Sequence, residues 1–133
     1  MKSLLGVVPA MLLALTGCRG RDAGLPSGYR SLPVPEAMLV SRDARTRGRE
    51  LFVENCAICH GDRGDGNGIR REGLYPPPRD FTNPDWRKEI SPRRVFFVIR
   101  EGVSGTPMPS WKSFSDNDTW ALAAYVLSIG RRD

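Results

Sequence analysis

Histidine occurs once in these 133 residues, at position 60, and cysteine three times, at 18, 56 and 59. A tetrahedral zinc site needs four ligands, so this chain would have to complete one with a carboxylate or a partner's side chain. Strand patterning is absent as well. No run of β-branched and aromatic residues alternates with polar ones, which removes the βαβ setting that a thioredoxin-like thiol pair needs. Lysine is scarce, three residues against seventeen arginines, and the net charge of +5 is interleaved with fifteen acidic residues. No arginine block is laced with stacking aromatics, so nucleic acid is not an expected partner; a basic face for an acidic protein partner stays open.

Long apolar runs are also missing. The longest, within "MKSLLGVVPAMLLALTGC", extends from Leu4 to Leu15, follows one positive charge at Lys2 and leads into small residues before Cys18. That is the three-part plan of a secretory signal, too short for a spanning helix. Leu15-Thr16-Gly17-Cys18 resembles the lipobox of bacterial lipoproteins. The resemblance implies a signal peptide over residues 1–17, a lipid on Cys18 and a membrane-held chain on the periplasmic side. Cys56 and Cys59 would then be the only thiols left in an oxidising compartment.

From residue 18 to residue 40 the chain holds three prolines and three glycines without sustained periodicity, which predicts a flexible tether ahead of a domain over residues 41–133. Three helices are expected in that domain. Ser41 caps the first, whose face of Ala44, Gly48, Leu51, Phe52 and Asn55 leads to Cys56. The second begins with Ser91 and Pro92, buries Val95, Phe96, Val98 and Ile99, and stops at Gly102. The third runs from Ser115, with Asp118 at capping-box spacing, to Ile129. Between the first two lie about thirty residues rich in glycine and proline, a length that a small domain tolerates when there is something buried to wrap around.

The stretch "NCAICHG" puts two thiols at i and i+3 and the imidazole directly after the second. Three readings compete: a thiol-disulfide oxidoreductase, part of a zinc site, and the attachment point of a covalent haem. The cysteines come at the end of a predicted helix, whereas a reactive pair sits at a helix N-terminus where the dipole lowers the thiol pKa. Haem attachment accounts for every element, with thioethers from Cys56 and Cys59 and iron ligation by His60. A second histidine ligand is excluded within one chain, and methionine is the natural alternative. Met1 and Met11 leave with the signal and Met38 lies in the expected tether, while Met108 stands between two prolines that restrict its backbone.

With these residues in place the chain resembles the class I c-type cytochromes over roughly residues 44 to 129: a helix ending in C-x-x-C-H, a proline-containing loop, a short helix, a methionine loop and a closing helix. The resemblance implies an all-α fold, three to four helices wrapped around one covalent haem c. It places the thioethers on Cys56 and Cys59, the axial ligands on His60 and Met108, and the crossing of first and last helices at Gly48 and Phe52 against Leu122 and Tyr125. It also implies that a proline carbonyl, of Pro76 or Pro77, accepts from the second ring nitrogen of His60. Arg79, Tyr75 and Trp111 are candidates for the propionates, and Trp86 has no assigned place. The expected function is one-electron transfer between redox partner proteins, with no catalytic residues; the rival readings are a haem-based gas sensor and the thiol oxidoreductase.

Overall fold

The structure, a computed structural model, describes residues 20–131. The expected signal peptide and Cys18 lie outside the described residues. Seven helices occur among those described and no strand: α1 (Ser27–Arg30), α2 (Glu36–Val40), α3 (Arg42–Asn55), α4 (Ala57–His60), α5 (Pro84–Glu89), α6 (Pro92–Glu101) and α7 (Asp116–Ser128). The three expected helices are α3, α6 and α7; the other four are short. No helix of the described residues is long and apolar enough to cross a membrane.

Each long helix starts where a serine can accept from an otherwise unpaired backbone N–H. Ser41 accepts from Ala44, Ser91 from Arg94 with Pro92 at the first helical position, and Ser115 from Asp118. The expected capping box at Ser115 is half formed, because the Asp118 carboxylate turns to the Arg47 guanidinium at 2.9 Å. Helices α3 and α7 cross with their backbones nearly touching. A Cβ on Gly48 would stand 2.0 Å from the Ala121 carbonyl oxygen and 2.8 Å from Tyr125 Cβ, so only glycine fits. Beside that contact the rings of Phe52 and Tyr125 meet edge to face at 5.2 Å. Leu51, Phe52, Ala57, Val95, Phe96, Ile99, Trp120, Leu122, Ala123, Val126 and Ile129 form the core, with Val98 half-buried at its side.

Residues 22–40 do not run as a free tether. Leu25 is 3% exposed, and Tyr29, Leu32, Val34, Met38 and Leu39 pack against the core. The polar groups of the segment are matched by α6. Asp22 accepts from the Ser91 hydroxyl and pairs with Arg93 at 3.1 Å, Arg93 Nε donates to the Leu32 carbonyl at 2.7 Å, and Arg94 donates to the Ala23 carbonyl. Tyr29 Oη donates to Glu101 Oε1 at 2.5 Å, and its ring stands edge-on to Phe97 at 4.8 Å. The prolines fix an irregular path, and the apolar side chains between them still find the core.

Candidate functional site

Helix α3 stops at Cys56 because the chain tightens there into α4, a single turn that carries Ala57 to His60. The Cys56 N–H still donates to the Phe52 carbonyl at 2.8 Å, and the Cys56 carbonyl accepts from Cys59 at 3.2 Å and His60 at 2.9 Å. Both thiols are half-buried and unbridged. Burial, with the neighbouring Cys59 adding to it, pushes the Cys56 thiol up to about 12. A thiol protonated at every physiological pH is a poor nucleophile, which weakens the thiol-disulfide reading.

His60 is fixed from several sides. Its ring stacks on Phe81 at 4.6 Å and lies 6.5 Å from Phe52. Burial pushes its pKa down, against the opposing hydrogen bond to Arg79, so the imidazole is neutral. Nδ1 stands 3.0 Å from the Arg79 carbonyl oxygen; a neutral ring donates there from Nδ1–H and keeps Nε2 as its lone-pair nitrogen. The acceptor is therefore the residue after the three prolines, rather than Pro76 or Pro77. The prolines carry the chain past the ring, and Phe81, whose N–H donates to the Gly64 carbonyl at 2.7 Å, sets the register. Trp86, unplaced by sequence, backs Phe81 at 5.1 Å from a helix begun by Asn83, whose side chain accepts from Asp85 and Trp86.

The rest of the loop closes on the same turn. Gly66 N–H donates to the His60 carbonyl, Gly68 N–H to Cys59 and Arg70 N–H to Ile58. Ile69 beside them is 90% exposed and Tyr75 87%, with Ile58 and Val103 also exposed. The two thiols, the neutral imidazole with one nitrogen already engaged, and the exposed apolar side chains in and beside the turn, Ile58 and Ile69, fit a flat, apolar, iron-bearing group.

Met108 belongs to a different element, the loop between α6 and α7. It is half-buried, its N–H donates to Thr106 Oγ1 at 3.2 Å, and its carbonyl accepts from Val103 at 3.1 Å. The two remaining methionines part company here. Met38 packs against the core, and Met108 is absent from the side chains that do, so a gap-filling role falls to Met38. Of the expected propionate partners, Tyr75 and the Arg79 side chain are exposed, while Trp111 stacks on Phe114 at 5.3 Å and donates its N–H to Ile99.

Residues 43–126 match the protein family described as cytochrome c oxidase, cbb3-type, subunit III. Among curated proteins, the cbb3-type cytochrome c oxidase subunit FixP of Bradyrhizobium diazoefficiens is 35% identical over 85 residues, which cover 63% of this chain and 27% of that protein. The thiosulfate dehydrogenase of Stutzerimonas stutzeri is 32% identical over 88 residues, 64% of this chain and 27% of that one. The chain thus spans about a quarter of the length of these relatives. Among solved structures, a chain of the Kuenenia stuttgartiensis reducing HAO-like protein complex Kustc0457/Kustc0458 superposes with a TM-score of 0.61 at 30% identity, over 68% of this chain and 46% of that one. The KustC0563 c-type cytochrome shares the fold, with a TM-score of 0.52 at 24% identity over 63% of this chain and 98% of its own.

Proposed function

The chain belongs to the class I c-type cytochromes of the cbb3-type oxidase subunit III family, which carry covalently bound haem c, and from that premise we propose that it is a one-electron carrier whose ligands are Cys56, Cys59, His60 and Met108. The observation that supports this most directly is the pair of unbridged thiols beside a neutral His60 whose Nδ1 is held by the Arg79 carbonyl. Haem c, when bound, supplies a single-electron ferric/ferrous couple.

The chain's own residues do the rest. Cys56 and Cys59, one helical turn apart, would hold the group by thioethers. Arg79 fixes the imidazole tautomer and orients Nε2, and the Phe81 and Phe52 rings hold the imidazole's tilt. Met108 would offer a thioether, a ligand type that favours the ferrous state and raises the potential. Ile58 within the turn and Ile69 beside it offer apolar surface that would cover the group and limit water. His60 and Met108 would both hold the iron, leaving it no open site for a substrate, which supports a carrier over an enzyme. Its partner is a respiratory complex of the kind named in its relatives, met at the periplasmic face of a membrane to which a lipid on Cys18 holds it.

Pyridine haemochrome assay of the protein made with haem maturation machinery should give one covalent haem per chain. Met108→Ala should keep that haem, lose the weak far-red absorption of sulfur ligation and lower the reduction potential markedly; an unchanged potential removes Met108 as ligand. Cys18→Ala should free the protein from membranes, and a variant still bound after high-salt washing refutes the anchor. Thiosulfate added without a partner protein should leave the haem oxidised, whereas direct reduction would make the chain an enzyme.

A further inference from the structure

The methionine loop hangs from the C-terminal end of α6, and Tyr29 of the N-terminal segment reaches that same end. Around Met108 the inner turn is closed by Val103 N–H to the Met108 carbonyl and Thr106 N–H to the Val103 carbonyl, each at 3.1 Å. At the base the returning chain docks on the last turn of α6. Trp111 N–H donates to the Ile99 carbonyl at 3.0 Å, Ser110 Oγ to the Arg100 carbonyl at 2.8 Å, and Lys112 Nζ meets Glu101 Oε2 at 2.7 Å. Gly102, with φ of 70°, lets the limbs touch: a Cβ there would come within 2.7 Å of the Met108 oxygen and 2.8 Å of Ser110 N.

Glu101 is where a third segment arrives. While Oε2 takes Lys112 from the return limb, Oε1 takes the Tyr29 hydroxyl from α1, 72 residues away in sequence. One carboxylate thus joins the N-terminal segment to the chain that leaves Met108. The charge states suit the bridge, because Lys112 and Tyr29 hold the Glu101 carboxyl below the usual carboxylate range while burial and Glu101 push the phenol up to about 12. The Tyr29 ring is itself seated on Phe97 and Phe96 of α6, so its hydroxyl is aimed by packing.

We propose that Tyr29 and Glu101 are positioning residues for the axial methionine: through the Tyr29–Glu101–Lys112 bridge the N-terminal segment holds shut the loop that presents Met108. This rests on the reading of Met108 as an iron ligand. Lifting Met108 away requires the return limb to loosen, and the bridge opposes that.

The test is imidazole binding to the ferric holoprotein, since imidazole must displace the methionine sulfur. Tyr29→Phe should tighten imidazole binding about tenfold or more, the effect of one hydrogen bond to a charged group, and Lys112→Ala should act in the same direction. Asp22→Ala, which loosens the same segment at Ser91 and Arg93 instead, should lower the unfolding temperature with imidazole affinity within about twofold of wild type. Wild-type affinity in Tyr29→Phe with the far-red sulfur band intact overturns this proposal alone. An equal rise in Asp22→Ala also overturns it, since general loosening would then be the cause. Absence of the sulfur band in wild type removes Met108 as ligand and the proposal with it.

Discussion

His60 and Met108, the two proposed iron ligands, are held in opposite ways. The histidine lies one turn beyond α3, is stacked on Phe81 and is buttressed by a helix crossing so close that Gly48 touches the Ala121 carbonyl. The methionine stands in a loop whose Trp111 and Phe114 pack at the edge of the core while Met108 itself does not, and whose base is held by hydrogen bonds and one ion pair. Packing is costly to disturb and hydrogen bonds at a surface are cheap to break. The difference predicts that the histidine side opens only with the fold itself, while the methionine side opens at a fraction of that free energy.

Substitutions should separate the two sides by size of effect. Phe52→Ala removes a ring that is 1% exposed and in contact with Tyr125, Phe81 and His60, and should cost about 4 kcal/mol in thermal or denaturant unfolding of the holoprotein. Gly48→Ala forces a methyl group into the Ala121 carbonyl and should cost about 3 kcal/mol, seen in the same unfolding curves. Ser110→Ala deletes only the bond to the Arg100 carbonyl; a loss below about 1 kcal/mol is expected, with the far-red sulfur band fading at lower temperature than global unfolding. A loss as large as that of Phe52→Ala would erase the contrast.

The smallest effect concerns pH. Tyr29 has a folded pKa raised above its ordinary value, so its contribution is fully present below about pH 10 and is lost as pH rises toward 12. Wild type should therefore lose slightly more stability than Tyr29→Phe between pH 9.5 and roughly 11.5, measured as the difference in denaturant midpoints. Equal losses would show that the phenol adds nothing.

The three long helices were readable because each begins with serine at the cap and repeats apolar residues at helical spacing, signals that are local. Residues 22–40 were misread for the complementary reason. Leu25, Tyr29, Leu32, Val34 and Leu39 follow no single period, and their fixing partners are remote: Arg93 reaches the Leu32 carbonyl across 61 residues. Proline and glycine report backbone preference and are silent on where side chains between them pack. At the site, the C-x-x-C-H turn was plain in the sequence, but the acceptor for His60 was not. A backbone carbonyl is the same in every residue, so nothing in "YPPPRDF" marks Arg79 over its prolines. Asn83-Pro84-Asp85 was a helix-start signal that could have revealed α5 and placed Trp86.

If Cys18 carries the proposed lipid, the docking of Asp22 on Ser91 and Arg93 sets how far this carrier reaches toward its partners. With a lipid on Cys18, the four residues to Asp22 reach at most about 14 Å, where a loose segment to residue 40 would have reached roughly 70 Å. A carrier so anchored would ride close to the bilayer and drift with it. Its encounters are then a search over an area, governed by the surface density of its redox partner and by lateral diffusion.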